Sequence, residues 1–76
     1  MIAEHDRVVL RTGVPRHGLV AGDAGTVVHV YRARRAFEVE FVSLAGTTAA
    51  VVTVEASQVR PVRRNEVAHA RALTVA

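Results

Sequence analysis

Ala36-Phe37-Glu38-Val39-Glu40-Phe41-Val42 carries the cleanest alternation in the chain. Phe37, Val39 and Phe41 fall on one side of an extended backbone and Glu38 and Glu40 on the other, the period-2 signature of a strand with one buried and one wet face. Upstream, Gly25-Thr26-Val27-Val28-His29-Val30-Tyr31 reads as a second strand, and Arg32-Ala33-Arg34-Arg35 is a basic connection of hairpin length. Downstream, Ser43-Leu44-Ala45-Gly46-Thr47 makes a turn into Thr48-Ala49-Ala50-Val51-Val52-Thr53-Val54, a strand apolar enough to be covered on much of both faces.

At the outer ends the pattern weakens but persists. Asp6-Arg7-Val8-Val9-Leu10-Arg11 is a short first strand bounded by charge, and Thr12 to Asp23 is a long loop with Gly13, Pro15, Gly18 and Gly22, in which Leu19 dips back to the core. In Gly22-Asp23-Ala24-Gly25 the glycines supply positive φ and Asp23 an acceptor for backbone amides. Glu55-Ala56-Ser57-Gln58 suits one turn of 3₁₀ helix, and Val59-Arg60-Pro61-Val62 a last short strand, at an edge because Pro61 donates no hydrogen bond.

These elements predict a mostly β fold, a small five-stranded SH3-like barrel over residues 1–62, with a C-terminal helical extension over 63–76. Asn65 serves as N-cap, Glu66 suits the first turn, and Val67, Ala70 and Leu73 share a face. About nine residues do not hold a helix alone, so this face needs the barrel, a second copy or another partner. The expected core is Val8, Leu10, Leu19, Val27, Val30, Phe37, Val39, Phe41, Val52, Val54 and Val59; the opposite parity of Val27 and Val30 requires a bulge or sharp bend in the second strand.

Composition narrows the function classes. The 76 residues include 16 Val and 13 Ala, no Cys, and ten Arg with no Lys against seven carboxylates, for a net charge of +3. A pI near 11.1 overstates the basicity, because little titrates between neutrality and the arginine range. The absence of Cys removes disulfide and thiolate chemistry and fits a cytoplasmic location. No apolar run approaches the roughly 20 residues of a membrane helix, and the start lacks a secretory pattern, so no membrane role is expected.

No catalytic constellation stands out, and the chain reads as a non-enzyme. His5, His17, His29 and His69 are scattered, with no Cys and no i,i+2 or i,i+4 pairing, so neither a metal nor another cofactor is expected. Glu38 and Glu40 stand about 7 Å apart on one strand face, as paired carboxylates do, but the alternation itself accounts for them as a solvated face. Gly22 to Gly25 lacks the Gly-Lys-Ser/Thr ending of a phosphate loop. The basic groups carry more: Arg32, Arg34 and Arg35 crowd one hairpin tip beside Tyr31, and Arg60, Arg63 and Arg64 bracket the last strand. Arginine forks suit carboxylates and phosphates alike. An RNA-binding barrel normally adds exposed aromatics for stacking, and only Tyr31 is available, which favours a protein partner over nucleic acid.

The blocks Asp6-Arg7-Val8-Val9-Leu10, Val14-Pro15-Arg16-His17-Gly18-Leu19, Gly22-Asp23-Ala24-Gly25-Thr26-Val27-Val28, Phe37-Glu38-Val39-Glu40-Phe41 and Val54 through Val59-Arg60-Pro61 occur in the order of a known pattern. In them the chain resembles the small bacterial domain-of-unknown-function family numbered 4926, over roughly Asp6 to Pro61. The resemblance implies an SH3-like barrel similar to translation-type KOW modules and no established activity. It also implies a setting beside another small gene, sometimes a suspected toxin. The resulting expectation is a binding module acting through a protein partner, antitoxin-like in inhibiting or stabilising a neighbouring gene product, with Tyr31, Arg32, Arg34, Arg35, Arg60, Arg63 and Arg64 as contact residues. Self-association through Val67, Ala70 and Leu73 is a variant of it, and a KOW-like nucleic-acid module using the Arg-rich hairpin is the alternative.

Overall fold

The computed structural model describes residues 1–73. Five antiparallel strands form one sheet in the order β4-β3-β2-β1-β5, with β1 Arg7–Leu10, β2 Ala24–Val30, β3 Ala36–Val42, β4 Thr48–Glu55 and β5 Val59–Pro61. Each lies within a residue or two of where alternation and turn chemistry put it. Short 3₁₀ turns occupy Pro15–His17, Arg32–Arg34 and Ala56–Gln58. The last is closed by a capping box, in which Gln58 Oε1 accepts the Glu55 N–H at 2.7 Å.

The core is a single cluster of Val8, Leu10, Leu19, Val27, Phe37, Val39, Phe41, Val52, Val54 and Val59. Val30 is half-buried against it. The β2–β3 register slips between Val27 and His29, and this irregularity brings Val27 and Val30 to the same side despite their parity. Val9, of the opposite parity in β1, is buried as well.

The five strands form one open sheet with β4 and β5 at its edges. One expectation is corrected: no helix forms over 65–73 among the described residues. Glu66 is drawn instead into a tight turn, its carboxylate taking the Arg63 N–H at 2.6 Å and the Arg60 guanidinium in a two-point fork. Val67, meant for a helix face, is 91% exposed, so no apolar burial offsets the cost of nucleating a helix. Residues 74–76 of the expected extension lie outside the described residues.

Candidate functional site

The turn after β2 is strained. Ala33 and Arg34 both adopt the left-handed region, at φ +59 and +55, in a hairpin position that asparagine and glycine usually fill. β1 runs antiparallel to both β2 and β5, so the tip at 32–35 and the residues that follow β5 emerge at the same end of the sheet. The N-terminal arm enters β1 at that end. Arg34 Nη1 donates to the Ile2 carbonyl at 2.6 Å, fastening the arm to the tip.

The six expected contact arginines therefore divide. Arg34 holds the arm, and Arg60 is engaged by Glu66. That fork, helped by the Arg63 amide, holds the Glu66 carboxyl well below its ordinary range, at about 2. Arg32, Arg35, Arg63 and Arg64 are exposed, with no side-chain partner among the described residues. Tyr31 is 40% exposed, packs edge-on against His29 with centroids 4.6 Å apart, and donates its hydroxyl to Glu38 at 3.2 Å.

Glu38 also accepts from Thr53 Oγ1, and Glu40 accepts from Thr48 Oγ1 at 2.7 Å. Each carboxylate is thus tied to a hydroxyl on the neighbouring strand, as cross-strand pairs are. Among the described residues no three His, Cys, Asp or Glu side chains come close enough to hold a metal ion.

The feature that alternation did not reveal is a cleft of about 510 Å³ between the first loop and β4. Pro15, Arg16 and His17 line one side, and Glu38, Val51, Thr53 and Gln58 line the other. The β4 backbone beside it has free hydrogen-bonding groups. Ala56 N–H donates to the Arg35 carbonyl at 2.9 Å, continuing the register in which Glu55 faces Ala36. Antiparallel ladders alternate, so Ala50, Val52 and Val54 turn their amides toward β3 while Val51 and Thr53 turn theirs away, off the sheet edge; the register slips at Ala49, between the Phe41–Ala50 and Val42–Thr48 pairs, and the alternation stops there. From Thr48 to Val54 this edge carries neither charge nor proline, and the bulge at Ala49 is the one device of edge protection within it.

The family model described as Domain of unknown function (DUF4926) matches residues 4–61. The chain belongs to this family. No curated protein and no solved structure matches the chain. The DUF4926 segment contains the five strands, the first loop, the cleft and the tip at 32–35, whereas Arg63, Arg64 and the tail follow it. No helix among the described residues is long and apolar enough to cross a membrane.

Proposed function

We propose that this chain is a non-catalytic binding module acting through a protein partner, antitoxin-like in inhibiting or stabilising the product of a neighbouring gene. The observation that carries the reading is the cleft between the first loop and the β4 edge at Val51 and Thr53. An extended partner segment adds a strand there, its main chain meeting the amides and carbonyls of Val51 and Thr53. Glu38 is satisfied internally by Tyr31 and Thr53, which leaves Arg16, and Arg35 beside the end of β4, as the groups that select acidic side chains. The fold reading beneath it is an SH3-like barrel, supported by the strand order and by the 3₁₀ turn before β5. A cytoplasmic location is part of the same proposal.

The test is capture from the native host with the tagged full chain, beside Arg16→Glu/Arg35→Glu and Val51→Pro variants. Val51→Pro removes one edge donor without touching the β3 ladder. A single acidic protein retained by the wild type and lost from both variants supports the reading; equal recovery by all three refutes it.

The exposed Arg32, Arg35, Arg63 and Arg64 at one end of the sheet favour a second reading, a KOW-like module for RNA or DNA. Such binding must weaken steeply with salt through counterion release. Fluorescence polarisation with mixed oligonucleotides decides it, and no binding even at about 50 mM salt removes it.

A further inference from the structure

The tail after β5 touches the body in a selective way. Past the Arg60–Glu66 fork, residues 67–70 are exposed. Then Arg71 reaches back to the first loop: Nε donates to Asp23 Oδ1 at 2.9 Å, Nη2 to Asp23 Oδ2, and the same Nη2 to the Gly18 carbonyl at 3.0 Å. Leu73 is 37% exposed against 91% for Val67, so the tail meets the body at Arg71 to Leu73.

The receiving side is built by the loop itself. Asp23 Oδ2 accepts the Val20 N–H at 2.9 Å, the Asp23 N–H donates to the Val20 carbonyl at 3.1 Å, and the Asp23 carbonyl takes the Leu10 N–H at 2.9 Å. Gly22, at φ +96, lets the chain reverse just before it. Gly18 closes the 3₁₀ turn at Pro15–His17 in the left-handed region, its N–H bonded to the Pro15 carbonyl. Beside this acceptor pair lies a hollow of about 470 Å³, lined by Pro15, Leu19, Val20 and Ala21. The Arg71 fork holds the Asp23 carboxyl below its ordinary range. Gly18 and Asp23 fall inside the family segment and Arg71 outside it, so the receiving site precedes its occupant along the chain.

We propose that Asp23 and the Gly18 carbonyl form a receptor for a guanidinium presented on an extended peptide, and that the tail is its occupant in cis. Two carboxylate oxygens and one carbonyl match the planar fork of arginine and not the point charge of lysine. The apolar hollow is lined by Arg71 itself and not by Ala70, Ala72 or Leu73, so it is space beside the guanidinium that the tail leaves open to a partner's side chain. A partner bearing an arginine in an extended segment must displace Arg71, whose tether gives it an effective concentration on the order of millimolar.

The test uses the full chain with Arg71→Ala, which empties the site, and as probe a synthetic peptide with the sequence of residues 65–73. Amide shifts of Gly18, Val20 and Asp23 report binding. The Arg71→Ala chain is expected to bind the peptide saturably, with these three amides moving most. The wild-type chain is expected to show a dissociation constant raised by one plus the ratio of the tether's effective concentration to the peptide's own constant. Adding Asp23→Asn should abolish binding, because the amide oxygen still caps Val20 while the charge and the second acceptor are gone. A peptide with lysine for arginine should bind at least about tenfold more weakly. Failure of the Arg71→Ala chain to bind at several millimolar peptide overturns the proposal. Equal binding of the lysine peptide overturns it independently, without reliance on the folding of the Asp23→Asn variant.

Discussion

Gly25→Ala tests the packing of the sheet more sharply than any large-to-small change. Gly25 sits in β2 opposite Val8, and its φ is not in the left-handed region, so its role is space. A Cβ at this position would stand 2.6 Å from Val39 Cγ1, 2.8 Å from the Glu40 carbonyl oxygen and 3.0 Å from Phe41 Cδ1. A rotamer change could move Val39, but the Glu40 oxygen belongs to the β3 backbone and recedes only if the β2–β3 ladder shifts. Overpacking of this kind costs about 1–3 kcal/mol, and a backbone clash places Gly25→Ala toward the upper end. At roughly 0.05–0.15 kcal/mol per residue the domain has only about 4–11 kcal/mol in all. Each kcal/mol moves Tm by about 4–8 °C at this size, so a fall of about 8–24 °C is expected. Thermal unfolding followed by circular dichroism measures it. Gly46→Ala is the matched control: nothing lies within 4 Å of its Cβ, and its φ of +89 leaves only backbone strain, about 1–2 kcal/mol. A Tm for Gly25→Ala within 2 °C or so of wild type, with Gly46→Ala lowered, would refute the close approach of β2 and β3.

Phe41→Ala removes a buried ring from the core and should cost about 3–5 kcal/mol, read as a lower urea midpoint or outright unfolding. Ala33→Gly should raise the unfolding free energy by about 0.5–1 kcal/mol, read as a higher urea midpoint, since glycine accepts φ +59 without strain; a loss of stability would contradict the turn geometry. The Glu66 carboxyl is depressed to about 2 in the folded chain from an ordinary 4.5. Its contribution is therefore fully present above about 4.5 and is lost as pH falls toward 2, and Asp23 acts with the same sign. Tm measured from pH 6 to 2 should fall across that window, less steeply in Glu66→Gln, and an identical slope in the variant would show that the fork contributes nothing.

The strands were legible because the signals that fix them are local. Phe37, Val39 and Phe41 alternate with Glu38 and Glu40, and a strand with one buried face leaves no other register open. The slip between Val27 and His29 was legible too, since two core residues of opposite parity in one strand demand it. Gly25 was not: its place in Gly22-Asp23-Ala24-Gly25 resembles turn chemistry, and only the approach of β3 shows that the missing side chain, not a positive φ, is what the site needs. The helix at 65–73 failed for a related reason. Propensity over nine residues is a weak prior, and the competing Arg60–Glu66 and Arg71–Asp23 forks depend on where β5 and the first loop lie in space.

The same distinction separates what was visible at the candidate site. The basic tip could be listed from sequence, but its division into Arg34 and Arg60, which hold the protein's own backbone and tail, and Arg32, Arg35, Arg63 and Arg64, which have no side-chain partner among the described residues, follows from long-range geometry. Period-2 alternation identifies a strand and its faces, yet it is identical for a central strand and an edge. Thr48–Val54 reads as a strand in either place, and only the sheet order makes it an edge facing the first loop. An apolar, uncharged strand in the centre of a sheet would be core and nothing more. At the rim of a cleft, with Val51 and Thr53 turning their amides outward, the same residues offer the hydrogen-bonding groups that the proposed strand addition requires.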